Sequence, residues 1–251
     1  MQDTAASGVD GGLLVGADVH KRFGALTVLD GVNFKLAANE AVGVVGPNGA
    51  GKTTLLNVLA GAYPPSGGTV HFNGADVTTC DAAQRCRLGV ARSHQIPRPF
   101  GGMTVFENCI VAATTGGGLS GQRAYQACAD SLELCRMLHV ANRRAETLGL
   151  LDRKRLELAR AVATEPRVLL LDEIGGGLTD EEANELVETI QVLRGRGLAI
   201  VWIEHIVHVL VRVVERLVCM DAGRIIADGK PGAVIANAAV IDAYVGGTSA
   251  S

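Results

Sequence analysis

Gly46-Pro47-Asn48-Gly49-Ala50-Gly51-Lys52-Thr53 fits G-x-x-x-x-G-K-[ST] at every fixed position. It lies between a compact β-branched run and a run with helical spacing, the context this motif requires. Glycines so spaced let backbone N–H groups turn toward one point. The helix that follows adds the partial positive charge of its N-terminus, so a polyphosphate can be held largely by backbone. Lys52 then supplies charge for the β- and γ-phosphates, and Thr53 a hydroxyl for Mg²⁺. Thr54, next in the chain, belongs to the same candidate segment. A glycine turn that matches by chance is the competing reading, and the strand–loop–helix context counts against it.

A loop of this kind needs a second metal group on a neighbouring strand. Leu169-Leu170-Leu171-Asp172 supplies it, with Asp172 at the carboxyl end of an aliphatic run, where open α/β sheets place their sites. Glu173 follows directly. Two adjacent carboxylates suggest a division of labour, Asp172 on Mg²⁺ and Glu173 polarising an attacking water. An exposed acidic turn is the alternative for this pair taken alone.

The elements that must position these groups read as follows. Leu13 to Val19 and Leu26 to Leu36 are strands around a turn near Gly24, and Ala41 to Val45 is a third strand. Lys52 to Ala60 carries Leu55, Leu56 and Leu59 at helical spacing, ended by Gly61 and Pro64–Pro65. Thr69 to Phe72 is a strand entering a type I′ turn at Asn73–Gly74. Arg98 to Leu148 is mostly helical, with Ala124, Cys128, Leu132, Cys135 and Leu138 on one stripe and a loop at Gly116 to Gly118. Val168 to Asp172 is a strand buried on both faces. Thr179 and Glu182 form a capping box ahead of Ala183, Leu186, Val187, Ile190 and Leu193, and Gly195 and Gly197 end that helix. Leu198 to Ile203 is the next buried strand, Ile206 to Val214 a helix, and Leu217 to Met220 with Arg224 to Ala227 a hairpin. Strands alternating with helices predict a parallel sheet covered on both faces.

Composition narrows the class. The chain has 251 residues, 48% hydrophobic and 20% charged, which excludes a disordered chain and suits one domain. A formal net charge of −3 and an aromatic share of 4% argue against nucleic acid as a partner. Gly, at 32 residues, is roughly twice its average usage. Cys80, Cys86, Cys109, Cys128, Cys135 and Cys219 form no C-x-x-C pair and no zinc spacing, and read as thiols in a reducing compartment. The first ten residues, MQDTAASGVD, carry no secretory pattern, and the apolar runs fall short of the about 20 residues that a spanning helix needs.

Together these features resemble an ABC-type ATPase, the nucleotide-binding subunit of an ATP-driven transporter, from about Leu13 to Gly246. The resemblance implies an α/β fold: a P-loop NTPase core with a mostly parallel sheet, an N-terminal antiparallel β subdomain and an inserted α-helical subdomain. Residues 1–251 would form one such domain, with 98–148 as the insert. Phe23, in Lys21-Arg22-Phe23-Gly24, takes the place of the aromatic that stacks on adenine, a core Phe at a strand end being the alternative. Gln95, in Ala91-Arg92-Ser93-His94-Gln95, matches the glutamine that senses Mg²⁺ and water. His205, after Ile203 and Glu204, matches the switch histidine that bonds the γ-phosphate. A structural histidine, or a metal pair with His208, is the alternative there.

Met103-Thr104-Val105-Phe106-Glu107-Asn108, Arg155-Leu156-Glu157-Leu158-Ala159-Arg160-Ala161, Ile203-Glu204-His205 and Ala243-Tyr244-Val245-Gly246 look like the ATP-binding subunits of branched-chain amino acid uptake systems. The family's Leu-Ser-Gly-Gly-Gln reads Leu148-Gly149-Leu150-Leu151-Asp152 here. Gly149 can still offer an N–H to ATP held by an opposite subunit; Leu150 and Leu151 obstruct the approach and Asp152 adds charge. After Glu173, Ile174 stands where proline is usual, followed by Gly175-Gly176-Gly177-Leu178-Thr179. The resemblance implies ATP and Mg²⁺ as ligands and integral membrane permease subunits and a solute-binding protein as partners. It also implies a second ATP-binding subunit, a heterodimer rather than a homodimer given the altered segment, and a peripheral place on the cytoplasmic face of the inner membrane. A regulatory subunit with weak ATPase activity is the other reading. An ABC ATPase of translation or DNA repair lacks its tandem cassette or basic surface, and a GTPase its Asn-Lys-x-Asp.

Overall fold

The computed structural model describes residues 11–246, so the leader reading of the first ten residues lies outside the described residues. Strands β1 (Leu14–Phe23) and β2 (Leu26–Leu36) form an antiparallel hairpin. β3 (Ala41–Val45) is buried at every residue and leads through the glycine loop into α1 (Lys52–Leu59). β4 (Gly67–Phe72) turns through Asn73 and Gly74 into β5 (Ala75–Asp76). Both turn residues have positive φ, 51° and 79°, as a type I′ turn requires. α2 (Ala82–Leu88) and β6 (Val90–Arg92) follow. Then come α3 (Val105–Val111), α4 (Gly121–Leu134) and α5 (Leu150–Val162). The rest alternates: β7 (Val168–Asp172), α6 (Asp180–Gly195), β8 (Ala199–Ile203) and α7 (Val207–Leu210). β9 (Arg216–Asp221), β10 (Arg224–Gly229), α8 (Pro231–Ile235) and α9 (Ala238–Gly246) close the described chain.

Two sheets result. One has the order β2-β1-β4-β5 and is antiparallel; the other runs β10-β9-β3-β8-β7-β6 and is parallel except for β10. In the second, Val44 pairs with Ile203 and Ile203 with Asp172, so β3, β8 and β7 end at one level. That register is what brings the glycine loop, the two carboxylates and His205 to one edge. Alternate residues of these strands enter opposite cores. Val42, Val44, Leu170 and Val201 pack with Leu55, Leu56 and Leu59 of α1 and with the antiparallel sheet. Ala41, Leu169, Leu171 and Trp202 share the other core with α6 and with Val105, Cys109, Cys128 and Leu132 of the helical segment.

Helix ends follow sequence chemistry. Thr179 and Glu182 make the anticipated capping box, as do Thr104 with Glu107 and Asp81 with Gln84. The helix expected over Ile206 to Val214 is only one turn, Val207–Leu210. Beyond it the Arg212 and Val213 carbonyls accept hydrogen bonds from Gln191 (3.0 Å) and Arg194 (2.8 Å) of α6. The last turn of α1 is met by Arg85, which is fully buried. Its guanidinium donates to the carbonyls of Val58 (2.7 Å), Leu59 (2.9 Å), Cys80 (3.2 Å) and Thr78 (3.2 Å). The cysteines are all free among the described residues. Burial pushes the thiols of Cys128 and Cys219 up to about 11 and that of Cys109 to about 12, so none of these three is a ready nucleophile.

Candidate nucleotide site

The glycine loop is shaped by close approach. Gly46 has φ 144°, and a Cβ there would stand 2.0 Å from the Met220 carbonyl oxygen of β9. Gly51 has φ 98°, and a Cβ would meet the Val28 carbonyl at 2.8 Å. Neither position accepts a side chain. Gly51 is the N-cap of α1 and offers no side-chain cap, so the first amides of α1 are left for an external anion. They open on a cavity of about 270 Å³ lined by Val28, residues 48–54 and Glu173.

Lys52 reaches back over the loop, donating to the carbonyls of Gly46 (2.7 Å) and Pro47 (3.0 Å). It is only 6% exposed. Burial holds its ammonium below the usual lysine range, opposed by the nearby charges of Glu173 and Asp172. The cradle therefore fits a triphosphate in shape and in sign.

The metal side fits as well. The Thr53 hydroxyl lies 3.3 Å from Asp172 Oδ1. Two protein oxygens are few for a cage, and among the described residues no group of His, Cys, Asp and Glu could hold a metal by itself. That is the donor set Mg²⁺ favours when phosphates and waters complete its shell. Asp172 Oδ2 is taken by Arg92, at 2.7 Å. The other arm of this guanidinium bonds Asn57 of α1. No local pattern marks Arg92 for this role, because its contact depends on β6 lying beside β7.

Glu173 sits where the chain leaves β7, at φ 47°, held there by its N–H to the Ile203 carbonyl (2.9 Å). His205 Nε2 is 2.7 Å from its Oε1, and the Gln95 amide donates to its Oε2 at 2.6 Å. The structure thus gathers three candidate catalytic groups, Glu173, His205 and Gln95, although Gln95 contacts the carboxylate of Glu173 rather than Asp172 or Thr53. Glu204, also passed over in sequence, is buried and accepts from the Gly175 N–H at 2.6 Å and the His205 N–H at 3.3 Å. Burial raises its carboxyl above the usual range, while the two backbone N–H bonds act in the opposite direction.

Two candidates lie apart from this group. Phe23, 45% exposed, stands at the end of β1 edge-on to Tyr63, with ring centroids 5.5 Å apart. The Lys21 ammonium lies 4.9 Å from the Phe23 ring centre. Gly149 is the N-cap of α5, with open space around the position of a Cβ. Leu150 beside it is 45% exposed and reaches toward Gly177. Neither lines the cavity over Lys52.

Comparison with known proteins agrees with this architecture. Residues 29–175 match the ABC transporter family. Over 240 residues the chain is 39% identical to the high-affinity branched-chain amino acid transport ATP-binding protein LivG of Escherichia coli (strain K12), covering 90% of this chain and 94% of that protein. It is 35% identical to BraF, of the same description, from Pseudomonas aeruginosa, again over 90% of this chain and 94% of the relative. The crystal structure of an ATP-binding cassette of an ABC transporter in its ADP conformation aligns with a TM-score of 0.85 at 28% identity, covering 93% of this chain and 98% of that one. By its glycine loop, its sheet and these likenesses, the chain belongs to the ABC transporter family.

Proposed function

We propose that this chain is the ATP-binding, ATP-hydrolysing subunit that energises import of branched-chain or related amino acids. The observation that carries the reading is the Glu173 carboxylate, held between Gln95 and His205 on the wall of the glycine-loop cavity. The loop amides and Lys52 bind the triphosphate of ATP. Thr53 and Asp172 would hold Mg²⁺, which would neutralise charge on the phosphates. In the present arrangement both oxygens of Glu173 are occupied. Hydrolysis requires His205 and Gln95 to let one go, so that Glu173 accepts a proton from the attacking water. His205 then turns to the γ-phosphate, and Phe23 offers a face to adenine.

Lys52→Ala tests the binding half. A charge-assisted hydrogen bond is worth about 1.5–3 kcal/mol, so affinity for MgATP falls by more than about tenfold in calorimetry. Unchanged affinity would show that Gly46–Thr53 is not the triphosphate site.

Among the described residues no helix is long and apolar enough to cross a membrane. The likeness to ATP-binding proteins of amino acid transport supports attachment through permease subunits. The chain would then lie on the cytoplasmic face, in a complex that also includes a solute-binding protein. The docking site is the cleft beside Gln95 to Met103, about 290 Å³, lined by Arg92, His94, Arg98, Glu157 and Arg160. Ile96, Phe100 and Met103 are exposed along its rim. Arg98→Glu abolishes co-purification with the permease. Retention by that variant and by bulky substitutions along the rim would place docking elsewhere. The second ATP-binding subunit is a different chain: Gly149 to Asp152 would close its nucleotide with an exposed leucine where a small residue is needed, and this chain draws an intact segment from the partner.

A further inference from the structure

We propose that Tyr244, on the C-terminal helix α9, is a positioning residue of the glycine loop, so that the tail of the chain sets its affinity for nucleoside triphosphate. The inference rests on the reading of Gly46–Thr53 as the triphosphate site and ties to it a residue 198 positions away.

Gly46 is where the sheet ends and the loop begins. Val45 is the last residue of β3 in the ladder with β9, opposite Cys219. The N–H of Gly46 lies just past that ladder and needs a partner from elsewhere. Tyr244 supplies it: the hydroxyl oxygen accepts this N–H at 2.8 Å. The Gly46 carbonyl accepts from Lys52 at 2.7 Å, and the Met220 carbonyl blocks the space behind. Gly46 is therefore fixed from three sides, and the tail provides one of them.

The rest of α9 makes a poor substitute for that bond. It covers an apolar groove of about 310 Å³ lined by Val45, Leu217, Val234, Val240, Ile241 and Tyr244, so its packing against the sheet leaves unfilled space. Apolar contact is non-directional, so it specifies the place of the helix less sharply than a hydrogen bond does. Among the described residues the hydroxyl has one partner and one geometry, so it sets where the helix lies and holds the entry to the loop. Without it, the first peptide of the loop gains freedom, and the backbone that anchors Lys52 gains it too. The chemical step is not touched: among the described residues no hydrogen bond joins Tyr244 to Gln95, Asp172, Glu173 or His205.

Two single variants separate this role from simple packing. Tyr244→Phe keeps the ring in the groove and removes the acceptor. Ile241→Ala thins the packing of the same helix and keeps the hydroxyl. Calorimetry with MgATP is run on each purified chain, with steady-state ATPase kinetics in the assembled transporter and thermal melts alongside. Tyr244→Phe raises Kd and KM for ATP about tenfold, the scale of one lost hydrogen bond, with kcat within about twofold. Ile241→Ala lowers Tm and leaves Kd unchanged. An unaltered Kd in Tyr244→Phe, or an equal loss of affinity in Ile241→Ala, overturns the proposal while the triphosphate site stands. A parent chain that binds no MgATP overturns both.

Discussion

Glu173→Gln binds MgATP as tightly as the parent chain and hydrolyses it about 10²–10⁴ times more slowly in the assembled transporter. The substitution keeps the shape of the side chain and one acceptor oxygen for Gln95, and removes the negative charge and with it the ability to take a proton. The measurement is a pair, calorimetric Kd and phosphate release, and the ATP-bound dimer accumulates. Parent-like turnover would remove Glu173 from the chemistry. In the proposed heterodimer the altered Gly149–Asp152 segment is expected to make the loss unequal between subunits. Losing a preorganised phosphate donor costs about 2.7–4 kcal/mol of transition-state stabilisation, which separates the two nucleotide sites of a heterodimer by at least about a hundredfold. Turnover then depends on Glu173 of this chain more than on the corresponding glutamate of the partner. Equal losses from mutating each glutamate in turn would refute that asymmetry.

Arg85→Met lowers stability by about 2–5 kcal/mol, because it removes at once the side-chain donor to four main-chain carbonyls, of which Val58 keeps the Gly61 N–H. Arg85 has no carboxylate within ion-pairing distance among the described residues; its partners are main-chain oxygens, including those of Val58 and Leu59 at the end of α1. Burial already holds the guanidinium below its usual pKa, so its environment is costly and only the hydrogen bonds justify it. A thermal melt should show a fall of roughly 5–15 °C for a domain of this size. A Tm within a degree or two of the parent would mean that α1 ends adequately without it. The helix concerned begins at Lys52, so the same variant also weakens ATP binding at temperatures below its melt.

The parts of the fold that were legible in sequence are those whose signal is local. The glycine loop, the Thr179–Glu182 box and the Asn73–Gly74 turn each require particular residues at particular spacings, and each formed. The fully buried strands β7 and β8 announced themselves as aliphatic runs. β6, with only Val90–Arg92, is too short to show any period, and its place follows from pairing with β7. α2 carried a readable box in Asp81 and Gln84, and α8 a proline at its start, but both are short enough for those signals to pass as loop. The site divides in the same way. Lys52, Thr53, Asp172 and Glu173 could be named from motif. That Gln95 and His205 converge on one carboxylate depends on β6, β7 and β8 being neighbours, which no local pattern encodes. Arg92 on Asp172 and Tyr244 on Gly46 are contacts of the same long-range kind.

The left-handed backbone of Glu173 places two selective pressures on one residue. A side chain with a Cβ in that region costs about 1–2 kcal/mol that glycine would not incur. The fold therefore carries a backbone cost at its proposed proton acceptor, one of seven non-glycine residues with positive φ among the described residues, and glycine there would relieve that cost by discarding the acid. Libraries of this chain ranked by melting temperature alone would be enriched in inert sequences, and survivors would need to be sorted again by ATP turnover.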